Sequence, residues 1–209
     1  DKMLKIASGP SDEDYPWTET LMKLSGKYID GLSLHYYTRP RDKDWNDKGA
    51  ALGFPEREWA TTMRNTLRID EYITRHSAIM DKYDPEKKKW LVVDEWGTWY
   101  DPAPGSNPGF LVQQNSLRDA VVAGLNLNIF AHHADRVKMA AIAQMVNVLQ
   151  AMLLTDGAKM VKTPTYWVFD LYKPWQDATT LPIALQSPLY RNEDVSVPAI
   201  SASAVRDTA

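Results

Sequence analysis

The sequence has 209 residues, 44% of them hydrophobic, which is enough for one sizeable core or for one domain with part of a second. A net charge of −3 and scattered lysines and arginines argue against a nucleic-acid partner. The absence of cysteine excludes disulfides, thiolate metal sites and thiol catalysis.

Most of the chain alternates short apolar strands with amphipathic helices. The predicted elements are strand 4–7, helix 17–24, strand 30–37, helix 58–80, strand 91–95, helix 110–126, helix 135–148, strand 151–154 and helix 165–172. This order predicts an α/β fold with four parallel strands. No apolar run could span a bilayer and no secretory signal opens the sequence, so we expect a soluble protein, either cytoplasmic or secreted.

The pattern changes after the fourth step. Segments 181–189 and 195–205 are short, alternating and interrupted by serine and proline, which predicts two antiparallel strands of an all-β unit. The predicted domains are therefore residues 1–176, an α/β unit, and residues 177–209, the beginning of a β-sandwich.

Four parallel strands with outer helices amount to half of an eight-stranded (β/α)8 barrel, and two strands cannot close a sandwich. Half a barrel leaves two unpaired sheet edges and an exposed apolar layer, which natural folds cover. We therefore expect this chain to be a piece of a larger enzyme, completed by covalent sequence or by a second bound fragment. The alternative is a doubly wound α/β domain, and the order of the strands distinguishes the two.

The third predicted strand ends in Glu95, flanked by an aromatic side chain and followed by Gly97. Catalytic groups of barrel enzymes collect at such carboxyl ends of strands. A glycosidase needs two carboxyl groups, which lie about 5 to 5.5 Å apart in retaining enzymes. Asp94 is not expected to be the partner, because adjacent side chains of a regular strand point to opposite faces. A strand-end acid can equally serve as a helix cap or an ion-pair member.

His35 and Tyr37 lie two residues apart at the end of the second strand, so their side chains face the same way. A tyrosine hydroxyl that donates to Glu95 would orient the carboxylate, and the histidine could donate to the same group or to a sugar. Packing at the mouth of the fold is the alternative explanation. Tyr36 is expected to point toward the helices.

Trp99 follows Glu95 by four residues and is a candidate sugar-stacking ring, although a tryptophan lid over the core would have the same sequence. Gln144 and Asn147 are predicted on one side of the helix at 135–148, where two amides suit hydroxyl recognition or capping of backbone groups.

The run His132-His133-Ala134-Asp135 does not match a metal site, and we expect it to lie at a helix N-terminus. The sequence also lacks a P-loop, a dinucleotide-binding fingerprint and a nucleophile elbow. No metal is predicted.

Several motifs occur in a fixed order that covers most of residues 1–175. They are ASGP at 7–10, DYPWTE at 14–19, SLHYY at 33–37, VDEWGTWY at 93–100, HADRVKMA at 133–140, AQMVNV at 143–148 and KTPTY at 162–166. Together they resemble family 51 glycoside hydrolases, the α-L-arabinofuranosidases. The resemblance implies a (β/α)8 barrel with a β-sandwich, of which this chain would hold strands five to eight and the first sandwich strands.

The resemblance further implies retaining hydrolysis of terminal non-reducing α-L-arabinofuranosyl groups from arabinose-containing oligosaccharides and polysaccharides, without a cofactor. It implies that Glu95 is the nucleophile and that four residues bind the sugar. These residues are His35, Tyr37, Trp99 and Gln144.

The family's general acid/base is a glutamate of an Asn-Glu pair at the end of the fourth barrel strand, and it would precede Asp1. The expected partner is therefore the N-terminal half of the barrel, in the same or a second polypeptide, and an assembly of several copies stays open. The loop at 39–55 would set substrate preference. Endoglucanase or β-xylosidase activity, or a non-catalytic sugar-binding fragment, are the alternatives.

Overall fold

A computed structural model describes residues 3–207 as an α/β sheet with helices, followed by short antiparallel strands. The elements in chain order are β1 (Ile6–Ala7), α1 (Tyr15–Ser25), β2 (Gly31–Thr38), α2 (Glu56–Asp81), β3 (Trp90–Thr98), α3 (Leu117–His132), β4 (Val137–Ile142), β5 (Leu153–Asp156), β6 (Lys159–Lys162), α4 (Pro164–Tyr172), β7 (Thr179–Leu181), β8 (Leu189–Asn192), β9 (Val195–Pro198) and β10 (Ala204–Arg206). None of the helices in this range combines the length and apolarity that a membrane crossing requires.

Strands β1 to β4 form one parallel sheet in which the order along the chain is also the order in space. Helix α1 connects β1 to β2, α2 connects β2 to β3, and α3 connects β3 to β4. A doubly wound sheet requires a point at which the strand order reverses. The described part of the sheet has no such point, so the order does not fit the doubly wound alternative.

The core lies between the sheet and the helices α2, α3 and α4. Trp96 of β3 is fully buried, and its ring centroid lies 5.2 Å from that of Phe130 on α3 and 5.9 Å from that of Phe169 on α4. The packing of these rings fixes β3, the strand that carries Glu95.

Glu56 and Glu58 lie in the first turn of α2, where their negative charges interact favourably with the helix dipole.

The region from 135 to 154 differs from the sequence prediction of a helix followed by a strand. The fourth strand of the sheet is β4, and residues 151–154 only reach the start of the β5–β6 hairpin. Met139, Ala140 and Ala141 favour a helix locally, but pairing with β3 outweighs that preference. Gly157, at a φ of 56°, permits the tight hairpin turn, a signal that the sequence reading missed.

Helix α3 begins at Leu117 and not near residue 110. Ser116 and Asp119 form a capping box: the Ser116 side chain accepts from the backbone amide of Asp119, and the Asp119 side chain accepts from the backbone amide of Ser116. These bonds end the helix on its N-terminal side. The other predicted helices agree with the structure, with ends that differ by a few residues.

Beyond α4 the strands are antiparallel, but four short strands replace the two predicted ones. Strand β8 pairs with β9, and β7 pairs with β10. Val195 and Val197 of β9 are buried against Ala60 and Met63 of α2. The β8–β9 hairpin therefore packs on the helix layer, and alternation of buried residues is confined to this hairpin.

The two adjacent histidines close a helix instead of opening one. His132 is the last residue of α3 and His133 is its C-cap, so the predicted helix N-terminus is wrong. Cationic and polar groups are favourable at this end of a helix. His133 Nε2 lies 2.7 Å from Asp70 Oδ1, and the pKa of Asp70 is lowered chiefly by that hydrogen bond.

We expect the buried His76 of α2 to make the stability of the folded protein depend on pH. The side chain is fully buried, its Nε2 donates to the carbonyl of Asp12, and its Nδ1 therefore accepts from Thr18 Oγ1 at 2.8 Å. Burial lowers its pKa from 6.5. Since the folded pKa lies below the unfolded value, His76 contributes full stability above pH 6.5 and loses it progressively as the pH falls below that value.

We expect the free energy of unfolding in urea to fall between pH 7.5 and pH 5.5 by more in the wild type than in His76→Gln, whose amide does not titrate. The other histidines are common to both proteins and cancel in the comparison. Equal pH slopes for the two proteins would contradict the buried neutral imidazole.

Candidate active site

The carboxyl ends of β2 and β3 bring three polar side chains together. His35 and Glu95 are direct register partners, and Tyr37 lies opposite Gly97. Tyr37 Oη donates to Glu95 Oε1 at 2.7 Å, as the spacing in the sequence predicted. All three side chains are half-buried, so they are fixed by neighbours while a face stays open to solvent.

Asp94 also reaches this cluster, which contradicts the expectation that it points to the opposite face. His35 Nδ1 lies 3.3 Å from Glu95 Oε2, and His35 Nε2 lies 3.3 Å from Asp94 Oδ1. The register of β2 against β3 shifts here, from Ser33 opposite Val92 to His35 opposite Glu95. One extra residue in β3 therefore breaks the alternation of a regular strand.

The hydroxyl of Tyr37 is held as a donor. Burial, and then the hydrogen bond and the negative charge of Glu95, raise the pKa of Tyr37 well above its usual value. The neighbouring Tyr36 points the other way, as predicted, and its hydroxyl donates to the carbonyl of Asn65 in α2. The two adjacent tyrosines thus have separate tasks, one in the open cluster and one in the core.

A segment from Gly9 to Asp12 runs beside the end of β2 and supports His35. The amide of His35 donates to the carbonyl of Pro10 at 3.0 Å, and the amide of Asp12 donates to the carbonyl of His35 at 3.0 Å. A Cβ on Gly9 would lie 1.5 Å from the carbonyl oxygen of Ser33, so only glycine fits this approach. The backbone of His35 is therefore held on both sides.

Three aromatic rings form a wall that leads away from Glu95. The ring of Tyr37 lies 4.8 Å from that of Trp99, and Trp99 lies 4.9 Å from Trp45, both edge to face. The guanidinium of Arg39 lies 4.9 Å from the Trp45 ring. Trp99 is thus placed beside the cluster, and Trp45 and Arg39 are residues that the sequence reading did not single out.

The cluster opens into a cleft of about 240 Å³. The residues that line it are Ser11, Asp12, His35, Tyr36, Tyr37, Arg39, Trp45, Glu95 and Trp99. Burial raises the pKa of Asp12, and Arg39 opposes that rise. The cleft combines carboxylates, hydrogen-bond donors and flat rings, a composition that suits a polyhydroxylated ligand with apolar ring faces.

Gln144 and Asn147 do not share a helical face, because no helix exists there. Both are loop residues after β4, with φ values of 71° and 63°. The side chain of Asn147 is already hydrogen-bonded to β5, through the backbone and the hydroxyl of Thr155. Gln144 is exposed and lies two residues beyond Ile142, which pairs with Trp96, so it stands near the same edge of the sheet as Glu95.

Gln150 is a buried residue that braces the strand just beyond Glu95. Its Oε1 accepts from the amide of Thr98 at 2.7 Å, and its Nε2 donates to the carbonyl of Asp119 at 2.7 Å. Gly97 adopts a φ of 145° beside it, where a Cβ would lie 3.2 Å from Gln150 Oε1. These contacts are distant in sequence, and only the apolar surroundings of Gln150 hinted at them.

Within residues 3–207 no group of three histidine, aspartate or glutamate side chains is arranged to hold a metal ion. The cluster offers a carboxylate with one oxygen bonded by a phenol and the other facing an imidazole. Such a carboxylate is oriented and accessible, which suits it to attack an electrophilic carbon.

A family model described as the alpha-L-arabinofuranosidase C-terminal domain matches residues 94–206. The chain is 50% identical over 208 residues to the intracellular exo-alpha-L-arabinofuranosidase of Bacteroides ovatus, and the aligned region covers 99% of this chain and 40% of that protein. It is 28% identical over 198 residues to the intracellular exo-alpha-(1->5)-L-arabinofuranosidase of Streptomyces lividans, and the aligned region covers 88% of this chain and 28% of that protein. The crystal structure of the GH51 arabinofuranosidase from Xanthomonas axonopodis pv. citri superposes with a TM-score of 0.96 at 63% identity, covering 100% of this chain and 42% of that one.

Proposed function

Because the chain belongs to the alpha-L-arabinofuranosidase C-terminal domain family, within family 51 of the glycoside hydrolases, we propose that it carries the nucleophile of a retaining α-L-arabinofuranosidase. The enzyme removes terminal non-reducing α-L-arabinofuranosyl groups from arabinose-containing oligosaccharides and polysaccharides. The observation that carries the proposal is Glu95, held by Tyr37 at the carboxyl end of β3 with an open face.

The fold proposal is that residues 1–176 supply strands five to eight of a (β/α)8 barrel and residues 177–209 begin a β-sandwich. The sequential parallel order of β1 to β4, in which α1, α2 and α3 connect successive strands, supports it. The chain spans only 40% of the Bacteroides ovatus relative and 42% of the Xanthomonas axonopodis structure. We propose that the first barrel half completes the sheet at the free edges of β1 and β4.

In the first step a carboxylate oxygen of Glu95 attacks the anomeric carbon and the bond to the leaving oxygen breaks. The leaving oxygen takes its proton from an acid that lies outside these 209 residues. The hydroxyl of Tyr37 orients the carboxylate before attack and then donates to the carbonyl oxygen of the resulting ester. Water, deprotonated by the same acid/base, hydrolyses the ester and retains the anomeric configuration.

The other site residues bind the sugar in this proposal. His35 and Gln144 interact with hydroxyl groups, and Trp99 covers an apolar face of the ring. Placement beside Glu95 supports these roles for His35 and Trp99, and an exposed amide near the same sheet edge supports the role of Gln144. No cofactor is required. Two of the relatives are named as intracellular enzymes, and we propose the same compartment here.

The proposal is tested in a hybrid enzyme, in which these 209 residues replace the aligned 42% of the Xanthomonas axonopodis protein. The hybrid is incubated with 2-deoxy-2-fluoro-α-L-arabinofuranosyl fluoride, whose good leaving group allows the ester to form and whose fluorine slows its hydrolysis. We expect mass spectrometry to show one added fluoropentosyl group on the peptide that contains Glu95.

The matched control is Asp94→Asn, which changes the adjacent carboxylate and should leave the label on Glu95. A label on a different residue would overturn the nucleophile assignment. An intact hybrid that hydrolyses only xylosides or glucans would assign the chain to a different activity of the family.

Tyr37→Phe tests the contact with the nucleophile. Loss of a hydrogen bond to a charged group should lower kcat/KM of the hybrid enzyme by about 10- to 100-fold while the fold is kept. The measurement is initial-rate kinetics on 4-nitrophenyl α-L-arabinofuranoside, with circular dichroism to check the fold. Tyr36→Phe is the neighbouring control, and it should lower stability by about 1 kcal/mol with little effect on rate, because its hydroxyl bonds the core.

A further inference from the structure

The loop between β2 and α2, residues 39–55, brings Trp45 to the candidate active site. The Trp45 side chain is 52% exposed, and it lines the same cleft as Glu95. Its ring lies 4.9 Å from that of Trp99, which lies 4.8 Å from that of Tyr37. Tyr37 bonds Glu95 directly, so Trp45 is two ring contacts removed from the nucleophile.

This spacing matches a substrate of more than one sugar residue. In the proposed reaction the terminal arabinosyl group lies over Glu95, and Trp99 covers an apolar face of that group. Each step along the row of rings is close to the width of a sugar ring. Trp45 is therefore placed for the next sugar residue, the one from which the arabinosyl group is released.

Arg39 supplies hydrogen-bond donors at the same place. Its half-buried guanidinium lies 4.9 Å from the centroid of the Trp45 ring, and both residues line the cleft. Arg39 faces the charge of Asp12, but within residues 3–207 its guanidinium forms no hydrogen bond or ion pair. A guanidinium carries five N–H donors, and donors without protein partners in a cleft suit the hydroxyl oxygens of a sugar.

Contacts with the segment after β3 hold the loop in place. The carboxylate of Asp101 accepts from the amides of Lys48 and Gly49, each at 3.1 Å. Lys48 Nζ in turn donates to the carbonyl of Trp45 at 2.7 Å, and it lies 5.1 Å from the centroid of the Trp45 ring. Lys48 thus links Asp101 to Trp45.

A second anchor comes from α3. Arg118 is 1% exposed, its Nη2 donates to the carbonyl of Ala50 at 2.7 Å, and its guanidinium lies 3.6 Å from the centroid of the Phe54 ring. The loop is therefore tied to two other parts of the fold before any ligand binds. A surface that is ordered in advance costs less entropy when the ligand binds.

We propose that Trp45 and Arg39 form the subsite for the sugar residue that carries the scissile arabinosyl group, and that Asp101 positions Trp45 through Lys48. This inference rests on the proposed function, because it states which part of the substrate these residues contact. Trp45 packs on an apolar face of the second sugar residue, and Arg39 donates to its hydroxyl oxygens. Asp101 does not touch the substrate.

Two substrates with the same arabinosyl group separate this subsite from the rest of the site. Methyl α-L-arabinofuranoside releases methanol, which is too small to reach Trp45, whereas an α-linked arabinobiose releases a second sugar. Both leaving groups are unactivated alcohols, so they make similar demands on the acid. In the hybrid enzyme we expect kcat/KM to be about 10-fold or more higher for the arabinobiose isomer that is hydrolysed fastest. Equal values for the two substrates would overturn the subsite.

The variants Trp45→Ala and Arg39→Met should remove this preference. Each should lower kcat/KM for the arabinobiose by about 10-fold, chiefly through a higher KM, and change the value for the methyl glycoside by no more than about 2-fold. Equal losses on both substrates would assign the two residues to packing and overturn the proposal.

Tyr28→Ala is the matched control for Trp45→Ala. Tyr28 has an exposed ring with Lys27 Nζ 4.8 Å from its centroid, but it precedes β2 and lies at the opposite edge of the sheet from Glu95. We expect this variant to hydrolyse both substrates at the wild-type rates. A loss confined to the arabinobiose in Tyr28→Ala would contradict the location of the subsite.

Asp101→Ala tests the positioning step. It should reproduce the substrate-dependent loss of Trp45→Ala, and Asp101→Asn, which keeps one acceptor oxygen, should recover part of the loss. The double variant of Asp101→Ala and Trp45→Ala should lose no more than Trp45→Ala alone, since Asp101 acts through Trp45. Losses that multiply in the double variant would overturn the positioning role.

The fluorosugar reports on the proposed function separately, because its fluoride leaving group does not reach Trp45. If Glu95 is labelled and Trp45→Ala hydrolyses the arabinobiose like the wild type, then the subsite fails while the glycosidase proposal stands. If Glu95 is never labelled in the wild-type hybrid, then the nucleophile assignment fails. A loss confined to the arabinobiose in Trp45→Ala would in that case still support the subsite, in a glycosidase with a different nucleophile.

Discussion

Replacing Glu95 by alanine is expected to lower turnover of the hybrid enzyme by about 10⁴-fold or more, the scale of loss when a nucleophile is removed from groups that act as a unit. Tyr37 and His35 both face this one carboxylate, and neither can form the glycosyl ester in its place. The measurement is kcat on 4-nitrophenyl α-L-arabinofuranoside. Glu86→Ala removes an exposed glutamate that pairs with Lys88, and this control should keep the wild-type rate.

Azide distinguishes a lost nucleophile from a damaged site. A small anion can occupy the space left by the Glu95 side chain and attack the anomeric carbon from the same face. We therefore expect azide to restore part of the rate of Glu95→Ala and to yield the β-arabinofuranosyl azide, the anomer opposite to the substrate. Restored hydrolysis without any azide adduct would contradict attack by Glu95. A variant with the wild-type rate would remove Glu95 from the mechanism altogether.

The sequence predicted the parts of the site that depend on local periodicity. His35 and Tyr37 lie two residues apart in a regular strand, so their shared direction followed from the alternation of side chains. Glu95 lies where a buried apolar strand meets glycine, and this position can be recognised from the local sequence without knowing which segments pack beside it. The structure confirms that these three side chains meet. Helix α4 was equally accessible, because Pro164 marks its first position.

The sequence failed where the outcome depends on distant pairing. The bulge at Asp94 is visible only in the registers with β2 and β4, and nothing in the run around it signals an extra residue. Alanine and methionine before Gln144 and Asn147 favour a helix locally, but residues 137–142 pair with β3 as strand β4, and the two amides follow in a loop. Trp45 joins the site by a contact with Trp99, 54 positions away along the chain. Propensity contains no information about such contacts.

Among the glycines of residues 3–207, Gly9 is the one whose replacement by alanine is expected to be most destabilising. The new Cβ would lie 1.5 Å from the carbonyl oxygen of Ser33 and 2.5 Å from its carbon, and both atoms belong to the backbone of β2. A rotamer change cannot relieve this clash, so the segment from Gly9 to Asp12 must separate from β2. We expect the free energy of unfolding in urea to fall by about 3 kcal/mol or more.

The same substitution at Gly124 is the matched control, with the opposite sign. Gly124 lies inside α3, and a Cβ there would meet nothing nearer than Val168 Cγ1 at 4.0 Å. Alanine is favoured over glycine in a helix by about 1 kcal/mol, so Gly124→Ala should raise the free energy of unfolding by up to that amount.

The Gly9 substitution should also act on the site, because the displaced segment holds both backbone groups of His35. We expect the fluorosugar to label Glu95 more slowly in the Gly9→Ala hybrid than in the wild type, at a temperature at which circular dichroism shows both to be folded. The Gly124→Ala hybrid, whose change lies in the helix layer, should be labelled at the wild-type rate. Wild-type stability in Gly9→Ala would mean that the segment does not run against β2, and the support of His35 described above would be wrong.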